Sequence, residues 1–580
     1  MGLLDQQARR MARERRLLIE LAASQTNLTL QRWGKTGTGE LCIHFELALA
    51  ICNFHGTLIY PEMFPDVPAY VVPQKPGERW SHHQYLGEGV LCLQYGPDNW
   101  HPAITGADLI QSANTLLWNE VFVAIDPEFG AVHSRHIPTV GGLLRGHSRR
   151  FLVTPGLHEV FTRAEAATPL ALNFVRRTVA GCSVVIATSA GTPSVAIPGV
   201  PASLALENYE GQGFAVLVDN LSDFDVSMSV GLLKSAMGSA WPWNEDLGDN
   251  LRYLILRDIS GAVLAYRLHE GAEPDIWSYH VLDFIGPENQ RLPLEFKTLS
   301  NVRVAIIGLG SLGSKVAVSL ARAGVRNFVL VDEDIFAPHN LVRNELNWLD
   351  VGFAKVAAVA RELKLVAIGA DVKTYTASVA GQENSKFAGE IYDEVATCNL
   401  VIDATANSKA FVVLAAITKR NDISMVWGEV FAGGVGAMMA RSRPCLDADA
   451  LAVRSHIYGV LATMPPVPNG RSTEYAHEAG GEVRVASDAD VSALAAAMTQ
   501  FTLDTLCAGE ATVYPVAAYL LGYRKYWEFK GPFDTIPIDC TSARRPKDAR
   551  ESLTEIEESD LVPLREAMEA DTHAAHNSAK

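Results

Sequence analysis

The first 150 residues change from helical to strand spacing of their apolar positions. The apolar residues of 3–24 recur at helical spacing beside Arg-rich turns, which predicts an amphipathic helix. Strands are predicted at about 41–52 and 56–60, and the three prolines of YPEMFPDVPAYVV predict an irregular bend leading into an edge strand. A second helix is predicted behind a cap at Thr105. We therefore expect a first domain that closes near residue 150.

The rest of the chain has two further patterns. Residues 151–295 contain the strand-like runs CSVVIAT, FAVLVDNL and LRYLILRDI between Gly and Asp turns, without a chemical motif, which favours a structural or docking domain. From residue 301 the order is strand, glycine turn, helix and strand, a βαβ unit of the nucleotide-binding α/β class. This predicts a domain over 296–545, followed by a polar, mobile tail over 546–580.

Charge and composition exclude several functional classes. The net charge of −17 argues against a nucleic-acid partner, because phosphate binding needs clustered Lys and Arg. No run of about 18 apolar residues is present, so no membrane span is expected. The cysteines form no CxxC pair, which favours free thiols in a reducing cytoplasm and argues against structural zinc. They stand at positions 42, 52, 92, 182, 398, 445, 507 and 540.

A glycine motif marks the candidate nucleotide site. Gly308, Gly310 and Gly313 form G-x-G-x-x-G directly after an apolar strand and at the start of a helix. Glycine lets the backbone approach phosphates, whose charge the helix N-terminus favours. Asp332, after the next strand, suits ribose binding. Dinucleotide dehydrogenases share this pattern, so the motif alone leaves an NAD-dependent oxidoreductase open.

The following segment, VDEDIFAPHNLVRNELNWLDVGFAK, resembles the ThiF-type adenylation domains of ubiquitin-activating enzymes and of the bacterial thiamine and molybdopterin activators. The resemblance implies a Rossmann-like fold and ATP as the nucleotide. It assigns the ribose to Asp332, the ATP phosphates to Asn340 and Arg343, and a further cation to Lys355. A guanidinium and an ammonium would stabilise the negative charge that develops when a carboxylate attacks the α-phosphate.

The chain departs from this family at the metal position. The family has an acid before the asparagine of D-x-T-D-N, and here the segment reads VIDATANS, with Ala406 in that place. Asp403 lies three residues earlier, at a strand end. We expect Asp403 to hold Mg²⁺ in its place or to orient the loop of the nucleotide site.

A second resemblance covers residues 5–130. The stretch SHHQYLGEGVLCLQYGPDNWHPAITG resembles the active-site region of ubiquitin-conjugating enzymes, an α+β fold. His82 lies ten residues before Cys92, and Trp100 begins the W-x-P-A turn. The resemblance makes Cys92 the acyl-accepting nucleophile, a role that needs an accessible thiolate. Gln84 replaces the asparagine that usually stabilises the oxyanion, and a glutamine amide could serve instead.

A second catalytic cysteine is not evident. In the family it lies in a crossover loop, here HEAGGEVRVAS, which has no cysteine and places Ala486 near the expected position. Cys445 and Cys540 fall where related enzymes carry zinc CxxC pairs, each without its second cysteine, and Cys507 falls late in a helix. We expect either direct transfer from the adenylate to Cys92 or a relay through an unidentified cysteine.

A conjugating domain ahead of an activating domain is similar to the fusion proteins of bacterial CBASS antiphage operons, the CD-NTase-associated protein 2 family. The resemblance implies an α/β multidomain protein with domains at 1–150, 151–295 and 296–545, the middle one similar to a degenerate adenylation domain. It also implies a homodimer that joins the C-terminus of a cGAS-like nucleotidyltransferase to a target amine.

Three other functions stay open at this point. A sulfur-carrier activator would use the same adenylation site but leave the conjugating domain unexplained. An oxidoreductase would use the glycine motif for NAD but would not need Asn340, Arg343 and Lys355. A scaffold without catalysis would keep both folds, as Ala406 and Ala486 suggest.

Overall fold

A computed structural model describes most of the chain, which divides into two compact units, residues 1–145 and 146–580. In the described residues, no helix is both long and apolar enough to cross a membrane. The described residues are 3–49, 52–81, 83–85, 89–125, 147–164, 168–201, 204, 209–224, 228–243, 252–270, 274–283, 292–466, 470–472, 476–479, 482–509 and 511–543.

The first unit is an antiparallel four-stranded sheet in the order β1-β2-β3-β4, with a helix before it and a helix after it. Buried side chains of the sheet, such as Phe45, Leu47 and Leu58, pack with Leu18 of the first helix and Leu109 of the second. The predicted helices and strands of this region are confirmed. The elements are α1 (Leu3–Ser24), β1 (Leu28–Lys35), β2 (Leu41–Leu49), β3 (Cys52–Tyr60), β4 (Tyr70–Pro73) and α2 (Gly106–Ile125).

A buried carboxylate ties α1 to the start of α2. Glu14 is fully buried and accepts hydrogen bonds from the backbone N–H of Gly106 at 2.6 Å and the hydroxyl of Tyr60 at 3.2 Å, while Arg10 forms an ion pair with it at 2.9 Å. Burial raises the pKa of Glu14, although these partners oppose the shift. At the predicted cap, the N–H and hydroxyl of Thr105 both donate to Asp108 at 2.8 Å.

The middle region is rich in strands. Its sheet runs in the order β5-β12-β11-β10-β9-β6-β7-β8, and β5 also pairs with β7, which closes seven strands into a ring. The three predicted strands are confirmed as β7, β9 and β10. The elements are β5 (Arg149–Val153), α3 (Pro155–Arg163), β6 (Leu170–Val179), β7 (Cys182–Ala190), β8 (Val195–Ala196), β9 (Tyr209–Leu217), α4 (Val230–Met237), β10 (Arg252–Arg257), β11 (Val263–Glu270) and β12 (Pro274–Asp283).

Residues 303–538 form an open sheet that carries the glycine motif. The order is β15-β14-β13-β16-β17-β18-β22-β23, parallel from β15 to β17 and antiparallel beyond. The elements are β13 (Arg303–Ile307), α5 (Ser311–Ala323), β14 (Asn327–Val331), α6 (Lys355–Val366), β15 (Asp371–Tyr375), α7 (Ser385–Ala396), β16 (Leu400–Asp403), α8 (Ser408–Arg420), β17 (Ser424–Phe431), β18 (Gly436–Ser442), α9 (Ala450–Thr463), β19 (Gly470–Ser472), β20 (Ala476–Ala479), β21 (Glu482–Val485), α10 (Asp488–Cys507), β22 (Ala518–Gly522) and β23 (Asp534–Ile538).

The strand order places a crevice at the centre of this sheet. After β13 the chain adds β14 and β15 on one side, then returns to add β16 and β17 on the other. In open α/β sheets, ligands bind outside the carboxyl ends of the strands where the order reverses. This point lies beside Ile307, the last residue of β13.

Two expectations stay predictions: the adenylation-like fold of the middle region and the mobile tail. The middle region closes into a ring, whereas the sheet of 303–538 is open. The expected similarity of residues 151–295 to a degenerate adenylation domain stays a prediction. The predicted mobile tail, residues 546–580, lies outside the described residues.

Candidate functional site

Steric constraints require glycine at two positions of the turn after β13. Gly308 has φ +85°, a left-handed conformation that favours glycine. A Cβ at Gly313 would lie 1.9 Å from the carbonyl oxygen of Gly308, so α5 can pack against the turn only without a side chain there. At Gly310 a Cβ would meet no atom within 4 Å. The fold therefore requires glycine at positions 308 and 313, whereas a side chain at Gly310 would enter open space.

These positions give a first prediction. We expect Gly313→Ala to lower the free energy of unfolding by about 3 kcal/mol, because the added Cβ collides with the backbone. Gly310→Ala should unfold like the wild type but bind ATP more weakly, since its methyl group would occupy space open to phosphates. Urea unfolding and titration with a fluorescent ATP analogue measure both effects. Equal stability of the two variants would contradict this account.

A cavity of about 540 Å³ lies at the carboxyl ends of the strands. Gly308 and Gly310 line it, whereas Gly313 and Asp403 are not among its lining residues. Its apolar lining residues, which could contact a base, are Ile307, Val331, Ala377, Val379, Ala404 and Ala410. Its polar lining residues include Asp332, Asp334, His339, Asn340, Arg343 and Lys355.

Two acids and one lysine form a fixed group at the end of β14. The carboxylate of Asp332 accepts the backbone N–H of Leu309 at 2.6 Å and that of Asp334 at 2.8 Å. The buried Nζ of Lys355 donates to Asp334 at 2.7 Å. Asp332 is thus oriented by the glycine turn itself, and Lys355 is held at the cavity by Asp334.

Asn340 lies in the 3-10 turn Pro338–Val342, and Arg343 follows that turn directly. The side-chain oxygen of Asn340 accepts the N–H of Ala337 at 2.9 Å, which fixes the turn. Arg343 donates to the backbone oxygen of Ala486 at 3.3 Å, so the residue that replaces the family's second cysteine contacts the predicted phosphate-binding arginine. Four of the predicted nucleotide residues thereby line one cavity together with two of the glycines.

Asp403 is hydrogen-bonded to the loop that follows it. It is 5% exposed, and its Oδ1 accepts both the backbone N–H of Thr405 at 2.9 Å and the hydroxyl of Thr405 at 2.6 Å. Burial raises its pKa. These bonds orient the loop, which includes Ala406 at φ +53°, and a role of Asp403 in metal binding stays a prediction. No group of three or more His, Cys, Asp or Glu suited to a metal ion occurs in the described part of the chain, and we derive no step through Mg²⁺.

The sequence did not single out several residues near this cavity. Asp334 is the partner of Lys355, and its position two residues after Asp332 at a strand end was a usable signal. Glu429 on β17 and Arg454 on α9 act electrostatically on each other, and burial raises the pKa of Glu429. Glu429 and Arg454 come from separate elements, so no local sequence pattern identifies them as neighbours.

Cys92 lies in a loop with short antiparallel pairing. Gln84 and Leu91 form an isolated bridge, the N–H of Cys92 donates to the carbonyl of His83 at 2.7 Å, and the N–H of Tyr85 donates to the carbonyl of Val90 at 2.8 Å. Cys92 is half-buried. Its neighbours are thus fixed by backbone pairing, while the thiol is not enclosed in the core.

The loop is anchored to α2 on both sides of Cys92. Before it, the hydroxyl of Ser81 donates to Glu120 at 2.5 Å, and after it the N–H of Gln94 donates to the hydroxyl of Ser112 at 2.8 Å. The indole N–H of Trp100 donates to the carbonyl of Pro65 at 2.7 Å. The tryptophan of the predicted turn therefore joins this region to the proline-rich bend.

The side chain of Gln84 forms its hydrogen bonds with the backbone of its own loop. Its side-chain oxygen accepts the N–H of Trp80 at 2.9 Å, and its amide nitrogen donates to the carbonyls of Glu78 at 3.0 Å and Gly89 at 2.8 Å. Both amide hydrogens are bonded, so in this conformation the Gln84 amide has no free hydrogen for an oxyanion. The predicted His82 lies outside the described residues.

The other candidate thiols differ in accessibility. Burial raises the pKa of Cys540 to about 11 and also raises that of Cys507. Cys445 is exposed, at φ +63°. Cys507 and Cys540 are thus poor nucleophiles, and Cys445 has exposure but no neighbouring cysteine in sequence to complete a zinc pair.

Comparison with known families agrees with this geometry. Residues 280–506 match the model of the ThiF family. The C-terminal region is a ThiF domain. This confirms the adenylation domain predicted from the glycine motif and from the segment with Asn340, Arg343 and Lys355.

Similar proteins share this region. The chain is 27% identical to the SAMP-activating enzyme E1 of Haloferax volcanii, over 30% of this chain and 62% of that protein. It is 32% identical to the ATP-dependent ubiquitin transferase-like protein Cap2 of Vibrio cholerae, over 27% of this chain and 26% of Cap2. Cap2 proteins of two other bacteria also match. The chain thus spans less than two thirds of the length of these relatives.

The ThiF domain is also similar to a solved structure, Escherichia coli MccB with ATP. The identity is 15% and the TM-score 0.32, over 44% of this chain and 68% of MccB.

Proposed function

We propose that this protein activates the C-terminal carboxylate of a partner protein with ATP, receives it as a thioester on Cys92 and transfers it to an amine. The observation that carries the proposal is the cavity of the ThiF domain, where Gly308 and Gly310 meet Asn340, Arg343 and Lys355. The names of the SAMP-activating and Cap2 relatives support protein conjugation over cofactor synthesis.

The first step is adenylation. A carboxylate oxygen of the partner attacks the α-phosphorus of ATP, the P–O bond to pyrophosphate breaks, and an acyl-adenylate forms. The charge on the α-phosphate oxygens increases during the attack, and the cations of Arg343 and Lys355 stabilise it. Asp332, held by the glycine turn, binds the ribose, and the apolar lining residues of the cavity contact the base.

The next steps use Cys92. Its thiolate attacks the acyl carbon, the bond to AMP breaks, and the thiol proton passes to solvent. An amine then attacks the thioester carbonyl, the C–N bond forms, and the thiolate leaves while the amine loses a proton. Three features support this role: the half-buried thiol, its anchorage to α2, and an α+β unit with an antiparallel sheet between two helices in the chain.

The acylated partner is proposed to be a cGAS-like nucleotidyltransferase in antiphage defence, and its acceptor a target amine, often lysine. The similarity to three Cap2 proteins supports this choice. ATP–pyrophosphate exchange with this partner tests the first step. We expect exchange with the intact partner and none after its C-terminal residues are removed. Equal rates of ATP–pyrophosphate exchange with the intact and the truncated partner would contradict the proposal.

A sulfur-carrier activator is the second candidate function. Similarity to the sulfur carrier protein ThiS adenylyltransferase of Bacillus subtilis, 30% over 28% of this chain, favours it. This function requires the ThiF cavity but gives Cys92 no task. Retention of full biological activity in a Cys92→Ala protein would therefore select it.

We also propose a homodimer formed through the ThiF domain. One 19-residue segment, 335–353, exposes five large apolar side chains, each more than three-fifths accessible, which is typical of an interaction surface. We expect Trp348→Glu to yield monomers in sedimentation velocity, because a charge would enter the interface. Ile259→Glu, at an exposed apolar residue of the middle region, is the control. Dimers of Trp348→Glu would contradict this surface. The five residues are Ile335, Val342, Trp348, Leu349 and Phe353.

A further inference from the structure

The loop around Cys92 lacks its expected amide donor. The resemblance assigns oxyanion stabilisation to the residue at Gln84, but both amide hydrogens of Gln84 are bound to the carbonyls of Glu78 and Gly89. Releasing them would unpair two backbone carbonyls and loosen the loop that carries Cys92. A thioester at Cys92 therefore needs a different donor beside the sulfur.

Backbone pairing places Tyr85 beside Cys92. Side chains alternate between faces in paired strands, so Gln84 and Leu91 share one face of the bridge, and Tyr85 and Cys92 share the other. Tyr85 is diagonal to Cys92 across the two strands, within reach of a long side chain. The Tyr85 hydroxyl and the Cys92 thiol are close enough to interact electrostatically. The ring is 53% exposed, so an acyl group and an incoming amine would have access.

We propose that the hydroxyl of Tyr85 donates a hydrogen bond to the oxyanion that forms when an amine attacks the Cys92 thioester. This rests on the proposed acyl transfer at Cys92. The attacking nitrogen forms a bond to the carbonyl carbon, whose π electrons move to its oxygen. The C–S bond then breaks, the electron pair leaves with Sγ, and the amine proton passes to solvent. Tyr85 keeps its own proton throughout.

The surroundings of Tyr85 favour a hydroxyl that stays protonated. Burial raises its pKa above the ordinary value, and the neighbouring Cys92 and Asp98 raise it further. Each of these disfavours the phenolate, which would repel an oxyanion. The hydroxyl is therefore protonated at neutral pH and can donate a hydrogen bond.

Acylation with a synthetic peptide thioester allows a direct test. The full-length protein is acylated by thiol exchange, and decay of the Cys92 adduct in lysine is followed by intact-protein mass spectrometry, with Cys92→Ala as the blank. We expect Tyr85→Phe to slow discharge about tenfold, less than at a fully buried oxyanion site because water competes at this exposed position. Tyr95→Phe, which removes a hydroxyl from the same region, should discharge like the wild type.

Alkylation of Cys92 by iodoacetamide separates this role from a structural one, because that reaction forms no oxyanion. We expect the rate of alkylation against pH to be the same in Tyr85→Phe and wild type. Unchanged discharge in Tyr85→Phe would overturn the proposal, and so would parallel changes in discharge and alkylation, since Tyr85 would then act on the thiol. The synthetic thioester needs neither ATP nor partner, so failure of the adenylation step would not affect this comparison.

Discussion

Replacing Arg343 with alanine should slow ATP–pyrophosphate exchange by about 100-fold or more, the usual cost of removing one group that stabilises transition-state charge. Arg343 lines the cavity beside Asn340 and directly follows a turn fixed by that asparagine. A guanidinium can bind two phosphate oxygens at once, which an ammonium cannot do, so Arg343→Lys should recover only part of the rate.

The control for this variant is Arg420→Ala, which removes an exposed arginine at the end of α8. It should exchange at the wild-type rate. Because Arg343 also donates to the carbonyl of Ala486, thermal unfolding of each variant is needed beside the kinetics. An Arg343→Ala protein that folds and exchanges pyrophosphate normally would remove Arg343 from the adenylation site.

Cys92→Ala should abolish the amide product completely while pyrophosphate exchange continues at the wild-type rate. Alanine has no nucleophile, so no thioester can form, whereas the adenylation cavity contains no part of the Cys92 loop. The amide product is measured as a band shift of the partner that resists thiol reduction. Cys52→Ala, at an exposed cysteine of the same unit, should conjugate normally.

Two other results would contradict this account in different ways. Amide formation in Cys92→Ala would assign acyl transfer to another thiol, and exposed Cys445 would be the first to replace. Loss of exchange in Cys92→Ala would mean that the substitution disturbs more than the nucleophile.

The sequence can point to a nucleotide site because the residues proposed for it lie in short local segments. The glycine turn, Asp332 and the turn with Asn340 and Arg343 each lie within a short segment, and parallel strands bring their carboxyl ends to one edge of the sheet. Helix α1 and the capped start of α2 were likewise readable from apolar spacing and from Thr105. These features depend little on distant contacts.

The features that the sequence did not predict depend on contacts between segments that are distant in sequence or on the conformation of loops. The ring of the middle region closes through pairing of β5 with β7 and β12, which no local pattern specifies. The bonds from Thr405 to the Asp403 carboxylate depend on how the loop after β16 folds, which the motif does not specify. The hydrogen bonds of the Gln84 amide to the carbonyls of Glu78 and Gly89 also depend on the loop conformation, which the sequence does not specify.

The most direct test of the central claim is intact-protein mass spectrometry of wild type and Cys92→Ala after incubation with ATP, magnesium and the partner. The account predicts a partner adduct on the wild type that disappears on addition of excess thiol and is absent from Cys92→Ala. Formation of AMP without any adduct on Cys92 would contradict transfer to this cysteine and would leave the chain as an adenylating enzyme alone.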